Sequence, residues 1–362
     1  FGGRENVGPE KIRIRKIAEG DRCYYQAEEI IDKKAYHKNL DESGLHKYVS
    51  DILGISFKNM VIYSKKSDYY IKISKKRKLS ILKRNPSMAV ESVAAHNAVK
   101  NYIIPEGKTV DFLCKLGLMN DNGGIVKKYY SKFRQINRFL ELVDDEWNYF
   151  AKKEIIRVYD LCCGKGYLTL ALHYYFTVIK NMSVEILGMD LKKDVIDQLN
   201  SIVAELGLEG ISFISGDISE AIMGKADIVV ALHACDMATD IALKKAVDAE
   251  AGMILSVPCC QHELFEVIKS EDLSPILKYG IMKDKFTELA TNALRGMALE
   301  AMGYDVKMIE FTSLEHTMKN IMIKAVSTRM YNESARAQYY KFAGMLDAVC
   351  SAERIMDKCC RK

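Results

Sequence analysis

Two hydrophobic periods divide the chain. Between Ile12 and Ile73 apolar and polar residues alternate over short runs: Ile12-Arg13-Ile14-Arg15, Tyr24-Tyr25-Gln26 and Tyr70-Ile71-Lys72-Ile73. That period of two marks half-buried strands. Between the runs, Asp41 to Leu53 reads as a short helix with Leu45, Val49 and Ile52 on one face. Residues 1–100 are thus expected to form a small α+β module, with a frayed start over 1–10 and a polar, basic linker or arm over 75–96. Residues 101–150 turn helical and are expected as a connector. Phe112, Leu113 and Leu116 stop at Gly117, and Phe133, Ile136, Phe139, Leu140 and Val143 recur at helical spacing.

From Ile155 strands alternate with helices. The strand candidates are Ile155–Leu161, Val184–Met189, Ile211–Ile214, Ala226–Leu232 and Gly252–Val257. Apolar strands separated by helix-length segments predict an α/β fold, a parallel sheet covered on both faces. After a long insertion, 306–311 and 320–326 read as a terminal antiparallel hairpin, so residues 151–330 form one domain and 331–362 a closing helix. No apolar run is long enough to span a membrane.

Charge adds a polarity to this plan. Residues 1–150 hold 28 Lys and Arg against 19 Asp and Glu, net +9, whereas the remainder is net −4. The densest stretch, Lys65 to Arg84, has nine bases and one acid, with Tyr69 and Tyr70 among them. Such a surface suits a polyanion, and we read the front module as RNA-binding. Ten cysteines are too few for a disulfide scaffold, and the adjacent pairs Cys162-Cys163, Cys259-Cys260 and Cys359-Cys360 are poor staples. They fit a reducing cytosol, so a cytoplasmic location is expected. No secretory leader is recognisable, and Phe1 is read as a processed or cut start.

The strongest local signal is Val158-Tyr159-Asp160-Leu161-Cys162-Cys163-Gly164-Lys165-Gly166-Tyr167-Leu168. A strand runs into a glycine turn and then a helix, so the backbone can approach a ligand beside free N–H groups. The pattern is neither the dinucleotide nor the nucleoside-triphosphate glycine motif. It suits S-adenosylmethionine. Asp190 closes the second strand, where a carboxylate can accept both ribose hydroxyls, and Asp217 follows the third, in reach of an adenine amino group. Each acid alone reads more commonly as a helix cap. All three lie at the carboxyl ends of successive strands, where open α/β sheets bind ligands. The expected donor set is Asp160, Cys162, Gly164, Gly166, Asp190, Leu191, Gly216, Asp217, Ile218 and His233.

The fourth strand ends in Leu232-His233-Ala234-Cys235-Asp236-Met237-Ala238-Thr239-Asp240, and the fifth in Val257-Pro258-Cys259-Cys260-Gln261-His262-Glu263. Both loops are expected to overhang the transferred methyl, so His233, Asp236, Cys259, Gln261 and His262 are the acceptor-side candidates. Asp236 or Thr239 can instead cap the next helix, and the paired cysteines can be buried apolar groups. The spacing lacks C-x-x-C, and no metal is expected.

With these residues in view, the chain resembles the bacterial class I methyltransferase family that includes the 23S rRNA guanine-N7 methyltransferase. The likeness is carried by Tyr36-His37-Lys38-Asn39-Leu40, His96-Asn97, Lys132 through Glu141, the Asp160 turn, both acceptor loops, Glu315-His316-Thr317 and Lys319-Asn320. A weaker likeness joins both loops to a tRNA 2′-O-methyltransferase family. The chain departs from the family at the turn, which reads Leu-Cys-Cys-Gly-Lys-Gly for an expected Phe-Gly-Cys-Gly-Lys-Ser. It departs also at Ala98, where a base is usual, and at Met318, where a proline is usual. The resemblance implies a Rossmann-like class I methyltransferase sheet, S-adenosylmethionine as cofactor and rRNA as partner.

Guanine N7 carries no proton, so methylating it needs approach and orientation rather than a general base. A 2′-hydroxyl needs a base, for which only His233, His262 and Asp236 are placed. The RNA-binding candidates are Lys75, Lys76, Arg77, Lys78, Lys83, Arg84, Lys132, Arg134, Asn137 and Arg138. Asn137 and Arg138 read equally as helix-packing residues. Ribose 2′-O methylation, methylation of a protein or small molecule, and a non-catalytic RNA-binding module are the alternatives.

Overall fold

The computed structural model describes residues 9–357 apart from 20–21, 32–33, 65, 75, 86–93, 96–101, 233, 235, 259–261 and 312–320. The chain forms two compact units, Phe1–Asn101 and Tyr102–Lys362.

In the first unit β1 (Lys11–Glu19), β2 (Arg22–Ile31) and β3 (Lys34–Leu40) form an antiparallel meander. Helix α1 (Glu42–Ile52) follows, its first turn held by Asp41, whose carboxylate accepts from Gly44 N at 2.6 Å. Glu29, buried on β2, accepts from Lys38 Nζ at 2.7 Å and Tyr48 OH at 2.5 Å, which ties α1 to the meander. Next, β4 (Asn59–Tyr63), β5 (Asp68–Ile73) and β6 (Leu79–Arg84) make a separate antiparallel sheet, and the two-residue β7 (Ala94–Ala95) pairs parallel to β1. Residues 79–84 were expected within a linker and are instead a strand. Every residue of β6 is exposed, so its ladder to β5 holds it and burial leaves no apolar signal to read.

The second unit is built on a seven-stranded sheet. Its strands are β8 (Ile155–Leu161), β9 (Ser183–Asp190), β10 (Ile211–Ser215), β11 (Ile228–Leu232), β12 (Met253–Val257), β13 (Tyr304–Glu310) and β14 (Ile321–Ser327). The order is β10-β9-β8-β11-β12-β14-β13; the first five run parallel, and β14 and β13 close the sheet antiparallel. The order reverses beside β8, the switch point at which such sheets open a ligand crevice.

Strand alternation sends side chains into two layers. Ile156, Val158, Ile228, Val230, Met253 and Leu255 enter one core. It is shared with α2 (Asp111–Lys115), α3 (Tyr130–Asp144), α4 (Trp147–Phe150), α5 (Tyr167–Tyr174) and α6 (Lys193–Glu205). Leu161, Val229, Ala231, Ile254 and Ile323 enter the other. That layer holds α7 (Met237–Asp248), α8 (His262–Val267), α9 (Ser274–Leu277), α10 (Gly280–Ala301) and α11 (Glu333–Leu346). No helix among the described residues is long and apolar enough to cross a membrane.

Residues 102–150, expected as a connector, are part of the second unit. Phe133, Ile136, Phe139 and Leu140 of α3 are fully buried in the first core layer. Lys324 of β14 is buried and caps α3: its Nζ donates to Leu142 O at 2.9 Å and pairs with Glu146 at 3.0 Å, a cation at a helix carboxyl end. Trp147 sits against the same layer, with Lys180 Nζ 4.3 Å from its ring centroid. Asn137, an RNA-binding candidate, is fully buried and cannot meet RNA. Its amide oxygen accepts from Ile104 N at 2.8 Å and its amide nitrogen donates to Phe133 O at 3.3 Å. Asn137→Ala leaves a buried N–H unpaired and is expected to cost about 1–3 kcal/mol in urea unfolding. Unchanged stability would show that Ile104 N–H finds another partner.

Candidate active site

The donor side is assembled at the carboxyl ends of β8, β9 and β10. After Leu161 the backbone enters the left-handed region at Cys162 (φ 68°), Gly164 (φ 52°) and Gly166 (φ 66°), and Gly166 caps α5. Two of these glycines have distinct reasons. A Cβ at Gly166 would lie 2.7 Å from Leu199 Cδ2, so a side chain there would displace Leu199 of α6 as well as strain the backbone at φ 66°. A Cβ at Gly164 would meet nothing within 4 Å, so the turn presents bare backbone to open space. Asp190 locks it: Gly164 N donates to Oδ2 at 2.9 Å and Lys192 N to Oδ1 at 3.1 Å. Gly216 N donates to Asp190 O at 3.0 Å and its side also faces open space, so three strand ends border one cradle.

Asp160 lies beneath the turn, fully buried, accepting from Thr169 Oγ1 at 2.5 Å. Burial raises its carboxyl to about 7, with the Thr169 hydrogen bond opposing and the Asp190 charge reinforcing the shift. It shapes the turn from behind rather than lining the cradle. Thr169 is a site residue that sequence reasoning missed, since a threonine inside an apolar helix carries no signal of its partner. Leu191 is 73% exposed and offers an apolar face at the rim, whereas Ile218 packs into the core. Asp217 accepts from Ser219 N at 2.7 Å, so it does cap the short 218–220 turn, and it remains exposed at the end of β10.

On the acceptor side Asp236 precedes α7 at φ 40° and ψ −111°, a backbone conformation strained for any residue but glycine. Its Oδ2 accepts from Glu263 N at 3.0 Å, joining the loop after β11 to the start of α8. Its Oδ1 is buried with no partner among the described residues. Thr239 Oγ1 donates to Ala234 O at 2.7 Å inside the same loop. His262 is exposed at the start of α8. His233, Cys259 and Gln261 lie outside the described residues, as do Lys75, His96-Asn97 and Glu315 through Asn320.

The basic candidates separate between the units. In the first, the 74–78 turn carries Lys76, Arg77 and Lys78 at the tip of the β5–β6 hairpin. Lys83 Nζ lies 6.0 Å from the Tyr69 ring centroid and the Arg84 guanidinium 5.2 Å from that of Tyr70. In the second, Arg134 is exposed beside Tyr130, and Arg138 pairs with Glu141 at 3.0 Å. Lys132 is half-buried, 5.2 Å from the Tyr167 ring at the start of α5; burial and then the Lys165 charge lower its pKa. It belongs to the surroundings of the glycine turn. A cavity of about 700 Å³ opens at the opposite pole of the sheet, among Tyr149, Arg157, Asp227 and Tyr331, and holds none of the expected site residues.

Residues 131–267 match a family model described as a methyltransferase domain. The match runs from α3 through the glycine turn and the five parallel strands to α8. This part of the chain is a class I, Rossmann-like methyltransferase domain whose cofactor is S-adenosylmethionine. The cradle of open backbone at Gly164 and Gly216 beside Asp190 fits that molecule. A human glutathione S-transferase C-terminal domain-containing protein is 26% identical over 225 residues, 54% of this chain and 33% of that protein. The mouse protein of the same name is 29% identical over 158 residues, 41% of this chain and 22% of its own. The chain thus spans about a third or less of these relatives' length. Among solved structures, an rRNA methylase from Streptococcus thermophilus aligns at 12% identity and TM-score 0.34, covering 54% of this chain and 96% of its own. A magnesium protoporphyrin IX methyltransferase from Synechocystis PCC 6803 aligns at 14% and 0.33, covering 60% and 94%.

The raised Asp160 carboxyl has a measurable sign. Its folded pKa of about 7 exceeds the unfolded value of about 3.9, so its contribution is present below pH 4 and is lost as pH rises through 7. Asp160→Asn removes that loss. The variant's melting temperature relative to wild type is expected to gain roughly 3–8 °C between pH 5 and pH 8. A difference that stays constant with pH would place the Asp160 carboxyl in its ordinary range.

Proposed function

We propose that this protein methylates RNA, and that its acceptor is guanine N7 of large-subunit rRNA. One observation carries the reading: a methyltransferase domain shares its chain with a unit whose β5–β6 hairpin sets the half-buried Tyr69 and Tyr70 beside the exposed Lys83 and Arg84. Rings that can stack on bases beside charges that hold phosphates are the recurring means of gripping single-stranded RNA. The resemblance to the bacterial 23S rRNA guanine-N7 methyltransferase family supports the choice of acceptor.

S-adenosylmethionine supplies an activated methyl group when bound. Asp190 and the backbone of Gly164 and Gly216 would hold its adenosyl part, with Leu191 against the base and Asp217 at the rim. Asp236 would orient the acceptor. Its Oδ2 is committed to Glu263 N, which suits a fixed hydrogen-bonding group better than a proton carrier. Guanine N7 has a free lone pair, so no protein base has to ionise.

Asp190→Ala removes the donor contact and the lock on Gly164 together, and calorimetry is expected to show S-adenosylmethionine affinity weakened at least about tenfold. Unchanged affinity would remove Asp190 from the donor site. For the chemistry, single-turnover methyl transfer from labelled donor to rRNA is expected to vary little between about pH 6 and 9. A rate climbing about tenfold per pH unit would favour a ribose 2′-hydroxyl, and label entering protein in place of RNA would end the RNA reading. Lys83→Glu with Arg84→Glu is expected to weaken RNA binding while sparing donor affinity, and RNA binding should weaken steeply with salt.

A further inference from the structure

Arg295 is the largest fully buried side chain among the described residues and lies on α10, beyond the matched stretch that ends at residue 267. Its Nε and Nη2 donate to Asp240 Oδ1 and Oδ2 at 2.7 and 3.0 Å, a planar fork on a carboxylate of α7. Nη2 also donates to the backbone oxygen of Asp236 at 3.0 Å. The network then closes on itself. Ser351 Oγ lies 2.6 Å from Asp240 Oδ2 and 2.7 Å from Glu263 Oε2, and Ser351 N donates to both Glu263 oxygens at 2.9 and 3.0 Å. Glu263 N in turn donates to Asp236 Oδ2. A ring of five residues therefore joins the loops after β11 and β12 to two later segments of the same unit that lie beyond the matched stretch.

A buried charge network is a poor device for stability alone, because desolvation offsets most of its attraction. Here it coincides with a strained backbone. Asp236 persists at φ 40° only if its surroundings over-determine it, and they do. Its carbonyl accepts from Arg295 Nη2 and Thr239 N, and its carboxylate from Glu263 N.

We propose that Arg295 is a positioning residue for the acceptor side: it holds the Asp236 backbone in its strained conformation and so fixes the β11 and β12 loops relative to each other. The effect on methyl transfer rests on the function proposed above. The effect on the loop does not, and the two are read separately.

Arg295→Lys keeps the buried charge and loses the fork. In this variant, hydrogen exchange at Thr239 N and Glu263 N, both bonded to Asp236, is expected to quicken at least about tenfold, while the β9 amides stay unchanged. Donor affinity should stay within about twofold, and the single-turnover rate should fall about tenfold or more without a matching rise in KM for RNA. In an Asp236→Gly background, where the backbone is relaxed, the same Arg295→Lys change is expected to cost less than about threefold. The double variant Asp240→Leu/Arg295→Met removes both charges together and carries the same readouts if the lysine variant does not fold. Unchanged exchange at Thr239 and Glu263, faster exchange throughout the second unit, full additivity with Asp236→Gly, or unfolding of the double variant as well would each overturn the proposal. Wild-type protein that transfers no methyl to RNA would end the functional reading and leave the exchange result to decide the positioning role.

Discussion

Gly164 donates its N–H to Asp190 Oδ2, and the geometry of the donor side follows from that hydrogen bond. The turn after β8 has left-handed backbone at three of five residues and few side chains to hold it. Asp190 belongs to the neighbouring strand, so its grip fixes the turn to the sheet rather than to itself. The same residue accepts from Lys192 N and, through its carbonyl, from Gly216 N, which draws the ends of β9 and β10 to the same place. Asp160 and Thr169 support the turn from below, and burial, with the charge of Asp190 added, raises the Asp160 carboxyl to about 7.

The acceptor side is organised on an opposite plan. Its loops follow β11 and β12 at the same end of the sheet, yet their anchors come from α7, α10 and residue 351 in the second helical layer. Donor and acceptor sides are thus held from different layers. The glycine turn is held within the sheet, whereas Asp236 is bonded by Arg295, which lies beyond the stretch that matches the family model.

Much of this was legible in the sequence, and the failures share a cause. The strands β8 to β12 were readable because both faces of the sheet are covered, which leaves continuous apolar runs with glycine turns between them. Asp160, Asp190 and Asp217 were readable from their place at strand ends, although their partners divide them into a buried support, a lock and an exposed cap. β6 was not readable, since Leu79, Ile81 and Leu82 are exposed among bases and give no buried face. Helical periodicity in 101–150 revealed an apolar face but not what it covers, so a core layer passed for a connector. Asn137 has the chemistry of an RNA contact and the burial of a packing residue, and only the latter is decided by tertiary structure. Arg295 is 55 positions from Asp240, beyond any local pattern.

Trp147 is the chain's one tryptophan, and it stands in the second unit beneath the Lys180 ammonium. The protein's indole emission therefore comes from a single place, on the helical layer behind α3, with a cation at its ring. Light absorbed by tryptophan alone follows the melting of that layer and passes over the first unit, whose rings among the described residues are Tyr24, Tyr25, Tyr36, Tyr48, Phe57, Tyr63, Tyr69 and Tyr70. Exciting the phenols as well adds tyrosines of both units, so the indole signal alone is specific to one half of the chain.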